Sequence, residues 1–179
     1  MLEEARHGFV SGAEAPGAIE SPGGMLSFKA RGEQTGGALT AFESIVAPGH
    51  GPPFHLHVRE DEVIYVLEGR LRVRLEETVE EAPSGSVAFL PRGVPHAWQN
   101  VGETPARLFV LLTPAAAGLE KFFERAAEVP EETRTSEAFR RFAEDAGMVV
   151  LGPPLARSHP APRVQAGSSP ATPSNGCAG

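Results

Sequence analysis

Three histidines and one glutamate stand at intervals that would let a single cation draw them together. In the stretch GHGPPFHLHVREDEVIYVLEG, His55 and His57 lie two apart on what reads as a strand, and side chains two apart on a strand share a face. Two imidazole nitrogens then converge without distorting the backbone. Glu62 follows five residues later, beyond a polar segment that can turn the chain, and its carboxylate can complete a facial set of ligands. The fourth group comes from GSVAFLPRGVPHAWQN, where the apolar run Val87 to Leu90 enters a Pro91-Arg92-Gly93 turn and His96 lies beyond it. Proline fixes φ and glycine tolerates positive φ, so this segment is suited to a sharp turn that presents the next strand inward. Neutral imidazoles with a carboxylate suit one divalent transition ion, and Ni, Co, Mn, Fe and Zn all accept such a set. Of the remaining histidines, His50 sits between two glycines and reads as a loop residue or a lid element, whereas His7 and His159 fall in tail segments.

Holding four such groups together calls for short strands, and residues 24–113 have that texture. The runs MLSFKA, ALTAFESIV, EVIYVL, RLRVRL, SVAFL and ARLFVLL are separated by Gly and Pro, as in a small antiparallel sandwich or barrel. In RLRVRL the alternation assigns Leu71, Val73 and Leu75 to a core and Arg70, Arg72 and Arg74 to water. Residues 1–23 read as an arm. In residues 114–152 the period lengthens: Leu119, Phe122, Phe123 and Ala126 recur at helical spacing, and a second helix runs from near Ser136 to Ala146, ending at Gly147. Both helices are expected on the outside of the β-structure, their aromatic stripes serving as core. Residues 153–179 are rich in Pro, Ala, Ser and Gly and are expected to be a disordered tail.

Composition removes several classes of function. A net charge of −7 in 179 residues, with no cluster of Lys and Arg, argues against a nucleic-acid surface. No apolar run approaches the ~18 residues that span a bilayer, and the N-terminal MLEEARHGFV has no basic-then-apolar signal, so a cytoplasmic protein without membrane contact is expected. The single cysteine, Cys177, excludes an internal disulfide.

The motifs carrying the four candidate ligands resemble those of the cupin superfamily. The first is a glycine, five residues, His-x-His, a three- or four-residue gap, Glu, six residues and a glycine, met here by Gly49, His55, His57, Glu62 and Gly69. The second is met by Gly85, Pro91, Gly93, His96 and Asn100. Glu60 and Asp61 flank Glu62 and are chemically able to replace it; the spacing favours Glu62, with Asp61 next. The resemblance implies a mainly β, antiparallel jelly-roll barrel with C-terminal α-helices, one bound metal ion, and a homodimer, since small single-domain members commonly pair. The wording of both motifs is most similar to bacterial quercetin 2,3-dioxygenase-like members, which implies O2-dependent ring cleavage of a flavonol or related aromatic enol. Such sequences often carry Phe where Ile64 stands, a change that alters the pocket.

Strand parity supplies a pocket for that chemistry. With Glu62 inward, Ile64 and Val66 share its face; Trp98 shares the face of His96; Phe54 and the adjacent prolines can form a lip, and Phe89 a further wall. An apolar cup of this kind suits a flat aromatic substrate and O2, with Glu62 as both ligand and general base. An O2-independent isomerase, cyclase or decarboxylase, or a small-molecule-binding protein, would use the same groups differently.

Overall fold

The computed structural model describes residues 7–13, 18–21, 24–130, 133–134 and 136–156. Eleven strands and two helices follow in the order β1 (Ile19–Ser21), β2 (Gly24–Ala30), β3 (Thr40–Val46), β4 (Pro53–His57), β5 (Asp61–Glu68), β6 (Arg70–Leu75), β7 (Thr78–Pro83), β8 (Val87–Leu90), β9 (His96–Asn100), β10 (Ala106–Thr113), α1 (Ala117–Ala127), α2 (Glu137–Ala146) and β11 (Met148–Pro154). They form two antiparallel sheets, β1-β2-β3-β10-β5-β8 and β11-β4-β9-β6-β7. The mainly β jelly-roll expectation is therefore met by two sheets rather than by one continuous barrel wall. Among the described residues no helix is long and apolar enough to cross a membrane.

Alternation decides which side chains enter the space between the sheets. On β5, Glu62, Ile64 and Val66 are buried while Tyr65 is exposed, and on β6 Leu71 and Val73 are buried. These residues join Leu26, Phe42, Val46, Leu90, Trp98, Leu108, Val110 and Leu112 in one hydrophobic core. β8 pairs with β5 so that Leu90 opposes Glu62 and Phe89 opposes Val63. Because Glu62 points inward, the two-residue period turns Phe89 outward, and it is 56% exposed. Phe89 is thus a surface residue and not a wall of the cavity beside Glu62.

Sequence boundaries shift at both ends. The N-terminal arm contains β1, which adds an edge strand against β2. β11 runs past the expected end of the helical segment, and it joins the second sheet by pairing with β4, Met148 opposite His57 and Val150 opposite His55. Residues 153–156 therefore belong to a strand and its exit, and Leu155 is buried; the rest of the expected tail lies outside the described residues.

The aromatic stripes of the two helices serve as core, as expected. α2 begins and ends as its sequence predicts, Ser136 accepting a hydrogen bond from Phe139 N and Gly147 closing it at φ 100°. α1 packs on the edge strand β1 and on α2 and turns its apolar stripe into the core, where Phe122 is fully buried and meets Phe123, Phe139 and Phe142 at centroid distances of 5.7, 5.6 and 5.1 Å. Buried Glu120 holds this position by accepting from Gly32 N at 2.8 Å and from Thr40 Oγ1, which in turn accepts from Ala116 N at 3.0 Å.

Two features hold β9 against the end of β3 and the loop before β4. Asn100 Nδ2 donates to Val46 O and Thr104 O, and its Oδ1 accepts from Gly102 N. Gly51 packs so tightly on β9 that an added Cβ would lie 1.9 Å from Trp98 O. Gly51→Ala is accordingly expected to cost about 1–3 kcal/mol as the strands part, lowering the melting temperature by roughly 2–4 °C per kcal/mol in a calorimetric scan.

Candidate metal centre

His55, His57, Glu62 and His96 arrive from β4, β5 and β9 at one buried point. Their ligating atoms all lie within 4.8 Å of one another, and none of the four is more than 6% exposed. His55 faces His96 directly in the β4–β9 register. His55 Nε2 and His57 Nε2 are 3.1 Å apart, and Glu62 Oε2 lies 3.6 Å from His57 Nε2 and 3.4 Å from His96 Nε2.

Backbone carbonyls orient two of the rings. His55 Nδ1 donates to Pro53 O at 2.7 Å and His96 Nδ1 to Val94 O at 2.9 Å, which places the proton on Nδ1 and turns the Nε2 lone pair toward the cluster. His96 Nε2 is buried with no hydrogen-bond partner, as is His57 Nδ1. An orphaned acceptor aimed at a carboxylate and two further imidazoles is the arrangement that a divalent cation satisfies, and the donor set fits a borderline transition ion.

The electrostatics point the same way. Burial, followed by repulsion from His57 and His96, holds His55 down at about 3, against the opposing pull of Glu62 and the Pro53 carbonyl. Burial likewise lowers His57, with Glu62 opposing and His96 assisting. For Glu62, burial pushes the carboxyl up, but the adjacent His96 ring and the fields of the three histidines outweigh it, and the net direction is down. At neutral pH, therefore, the His55 and His57 imidazoles carry free lone pairs and Glu62 is ionised, which is the protonation that metal ligation needs.

The two acidic neighbours of Glu62 have other positions. Asp61 turns outward and clamps the Pro91-Arg92-Gly93 turn, accepting from Arg92 N at 2.9 Å, Nε at 3.0 Å and Nη2 at 2.8 Å. Glu60 is 4% exposed, with Oε2 unpartnered, but does not join the cluster. His50 is exposed on its loop and is tied by its backbone, its N donating to Ala47 O and its carbonyl accepting from Asn100 N.

A cavity of about 60 Å³ opens beside the ligands, walled by His55, His57, Glu62, Trp98 and the Pro52-Pro53 lip, together with Leu26, Phe42, Ser44, Leu112, Phe122, Phe123 and Met148. Trp98 takes the place expected of it. Ile64 and Val66 are fully buried inward but pack in the core beyond the cavity, and Phe54 lies partly buried under the Arg74 guanidinium, 4.2 Å from its centroid. Sequence reasoning missed Phe42, Phe122, Phe123 and Met148. Strand parity could have flagged Phe42, whereas the placement of α1 and β11 has no local signal.

Residues 42–112 match the Cupin domain family. The chain is 31% identical over 145 residues to Germin-like protein 1-1 of Oryza sativa subsp. japonica, covering 74% of this chain and 67% of that protein. It is 33% identical over 84 residues to Polyketide synthase CurC of Streptomyces cyaneus, covering 46% and 54% of the two. Among solved structures, a Cupin 2 conserved barrel domain protein from Salinispora arenicola CNS-205 is similar with a TM-score of 0.49 at 19% identity, covering 56% of this chain and 83% of that one. The chain spans about half to two thirds of the length of the first curated relatives it matches, 67%, 49% and 62%.

The Asp61–Arg92 clamp joins the segment that carries Glu62 to the turn that precedes His96, and its pH dependence has a definite sign. Hydrogen bonds from the Arg92 side chain, then from its backbone, hold the Asp61 carboxyl down at about 2, below its ordinary 3.8. The unfolded chain then binds the extra proton between those values, so the contribution is complete above about pH 4 and is lost as pH falls toward 2. Asp61→Asn is expected to remove this component, seen as a shallower fall in the urea midpoint between about pH 4 and 2.

Proposed function

Because this chain belongs to the cupin superfamily, we propose that it is a metal-dependent oxygenase acting on an enolised substrate that chelates through two neighbouring oxygens. The observation that carries this reading is the buried cluster of three imidazoles and one carboxylate opening onto a mostly apolar cavity. A divalent transition ion held by His55, His57, Glu62 and His96 would supply Lewis acidity and open coordination positions for substrate and O2. Glu62 lines the cavity and takes the enol proton, while Trp98, Phe42 and Leu112 exclude water and favour a substrate without a charged group. The aromatic and proline side chains around the ligands favour a compact or flat enol. Flavonol ring cleavage, suggested by the motif wording, is one case of this reading.

A second reading is an O2-independent isomerase, cyclase or decarboxylase of an enolisable intermediate, with the same residues moving a proton. The similarity to a relative named as a polyketide synthase favours it, because polyketide chains are rich in enolisable dicarbonyl units.

Protein reconstituted separately with Fe, Mn, Co, Ni and Zn is assayed for O2 uptake with acetylacetone, catechol and quercetin. Uptake is expected with a redox-capable ion and a compact substrate, and its loss in the His55→Ala, His57→Ala double variant. Glu62→Gln is expected to lower kcat by about 10²- to 10⁴-fold, the range for loss of a positioned base. Substrate turnover undiminished under strict anaerobiosis would replace the oxygenase reading with the second one.

A further inference from the structure

We infer that Phe123 of α1 is a fixed size filter that confines the candidate metal centre to small bidentate ligands, a reading that rests on the proposed metal-dependent function. Phe123 lines the same cavity as His55, His57 and Glu62, and it is the partly exposed member of the aromatic pair that α1 lays there. Its ring meets Phe42 edge-on at 5.8 Å and Phe122 at 5.7 Å, so it bridges the β3 wall and the fully buried base of the helix. The Pro52-Pro53 lip and Trp98 line the same cavity, so side chain 123 takes up part of a space already narrowed by proline and aromatic rings.

The filter is fixed because α1 is anchored by buried polar bonds. Glu120, one turn from the cavity-lining phenylalanines, is 7% exposed, and its Oε1 is held by Gly32 N and Thr40 Oγ1. Swinging α1 away would strand a buried carboxylate and the Thr40 hydroxyl without partners. On the outer side Arg31 pairs with Glu124 at 2.7 Å and stacks over Phe28 at 3.9 Å. Admission is therefore decided by the volume of side chain 123, with Glu120 as a positioning residue.

The sole tryptophan, Trp98, lines this cavity and is 6% exposed, so its emission reports on what enters. Two measurements are made on the full chain, as wild type, Phe123→Ala and Phe123→Leu, the last keeping an apolar contact with Phe42. In zinc-loaded protein, with metal content measured separately, acetohydroxamate and benzohydroxamate are titrated against Trp98 emission. In metal-free protein, acrylamide quenching of the same emission is recorded. Wild type is expected to favour acetohydroxamate by about 10- to 100-fold, the cost of forcing a ring into filled space, and Phe123→Ala to erase most of that preference, with Phe123→Leu between. Acrylamide quenching is expected to rise several-fold from wild type to Phe123→Ala. Equal affinity of wild type for both hydroxamates, or quenching unchanged in both variants, would overturn the filter. Failure to retain zinc alongside increased quenching would remove the metal reading and leave the filter standing.

Discussion

The register that sets His55 opposite His96 across β4 and β9 governs the geometry of everything around the centre. Side chains on a strand alternate, so a slip of one residue would send His55 and His57 to the far face and bring Leu56 inward. Backbone bonds at both ends prevent it. Gly49 N donates to Asn100 O at 2.8 Å and Asn100 N to His50 O at 2.9 Å, while at the opposite end Gly93 N donates to His57 O at 2.7 Å. The glycines and the asparagine of the two motifs thus serve the ligands indirectly, by locking the strands that carry them.

That locked arrangement places a charged cluster where charge is costly. Burial disfavours the charged forms of His55 and His57 beside the Glu62 carboxylate, and no Lys or Arg side chain is paired with Glu62 among the described residues. A buried charge is tolerated when it is paired or ligates a metal, and here the ring orientations imposed by Pro53 O and Val94 O turn lone pairs toward the gap rather than N–H donors. Orientation of the rings and demand for a cation have the same origin.

The C-terminal elements finish the enclosure. β11 covers β4 from outside the sheet edge and contributes Met148 to the cavity, and α1 lays Phe122 and Phe123 beside the ligands. Phe122 links α1 to α2 through Phe139 and Phe142, and Gly118 permits the same approach, since a Cβ there would lie 2.8 Å from Ala146 O. The helical segment is therefore a wall of the site, and its packing controls the volume available to a ligand.

The four candidate ligands were legible in the residues themselves, because ligation depends on side-chain type and on a two-residue strand period, both of which are local. The inward parity of Ile64, Val66, Leu71 and Val73, the α2 cap at Ser136 and its stop at Gly147 were legible for the same reason. The pocket walls were not. Phe89 is as apolar as Phe42, and only the β5–β8 register turned it to solvent. Likewise, Phe122 and Phe123 form an ordinary helical stripe whose destination was decided by the Glu120–Thr40–Gly32 anchor, bonds between residues 80 to 88 positions apart. Chemistry carried by neighbours along the chain can be read from their order; volume enclosed by distant segments exists only once they have packed.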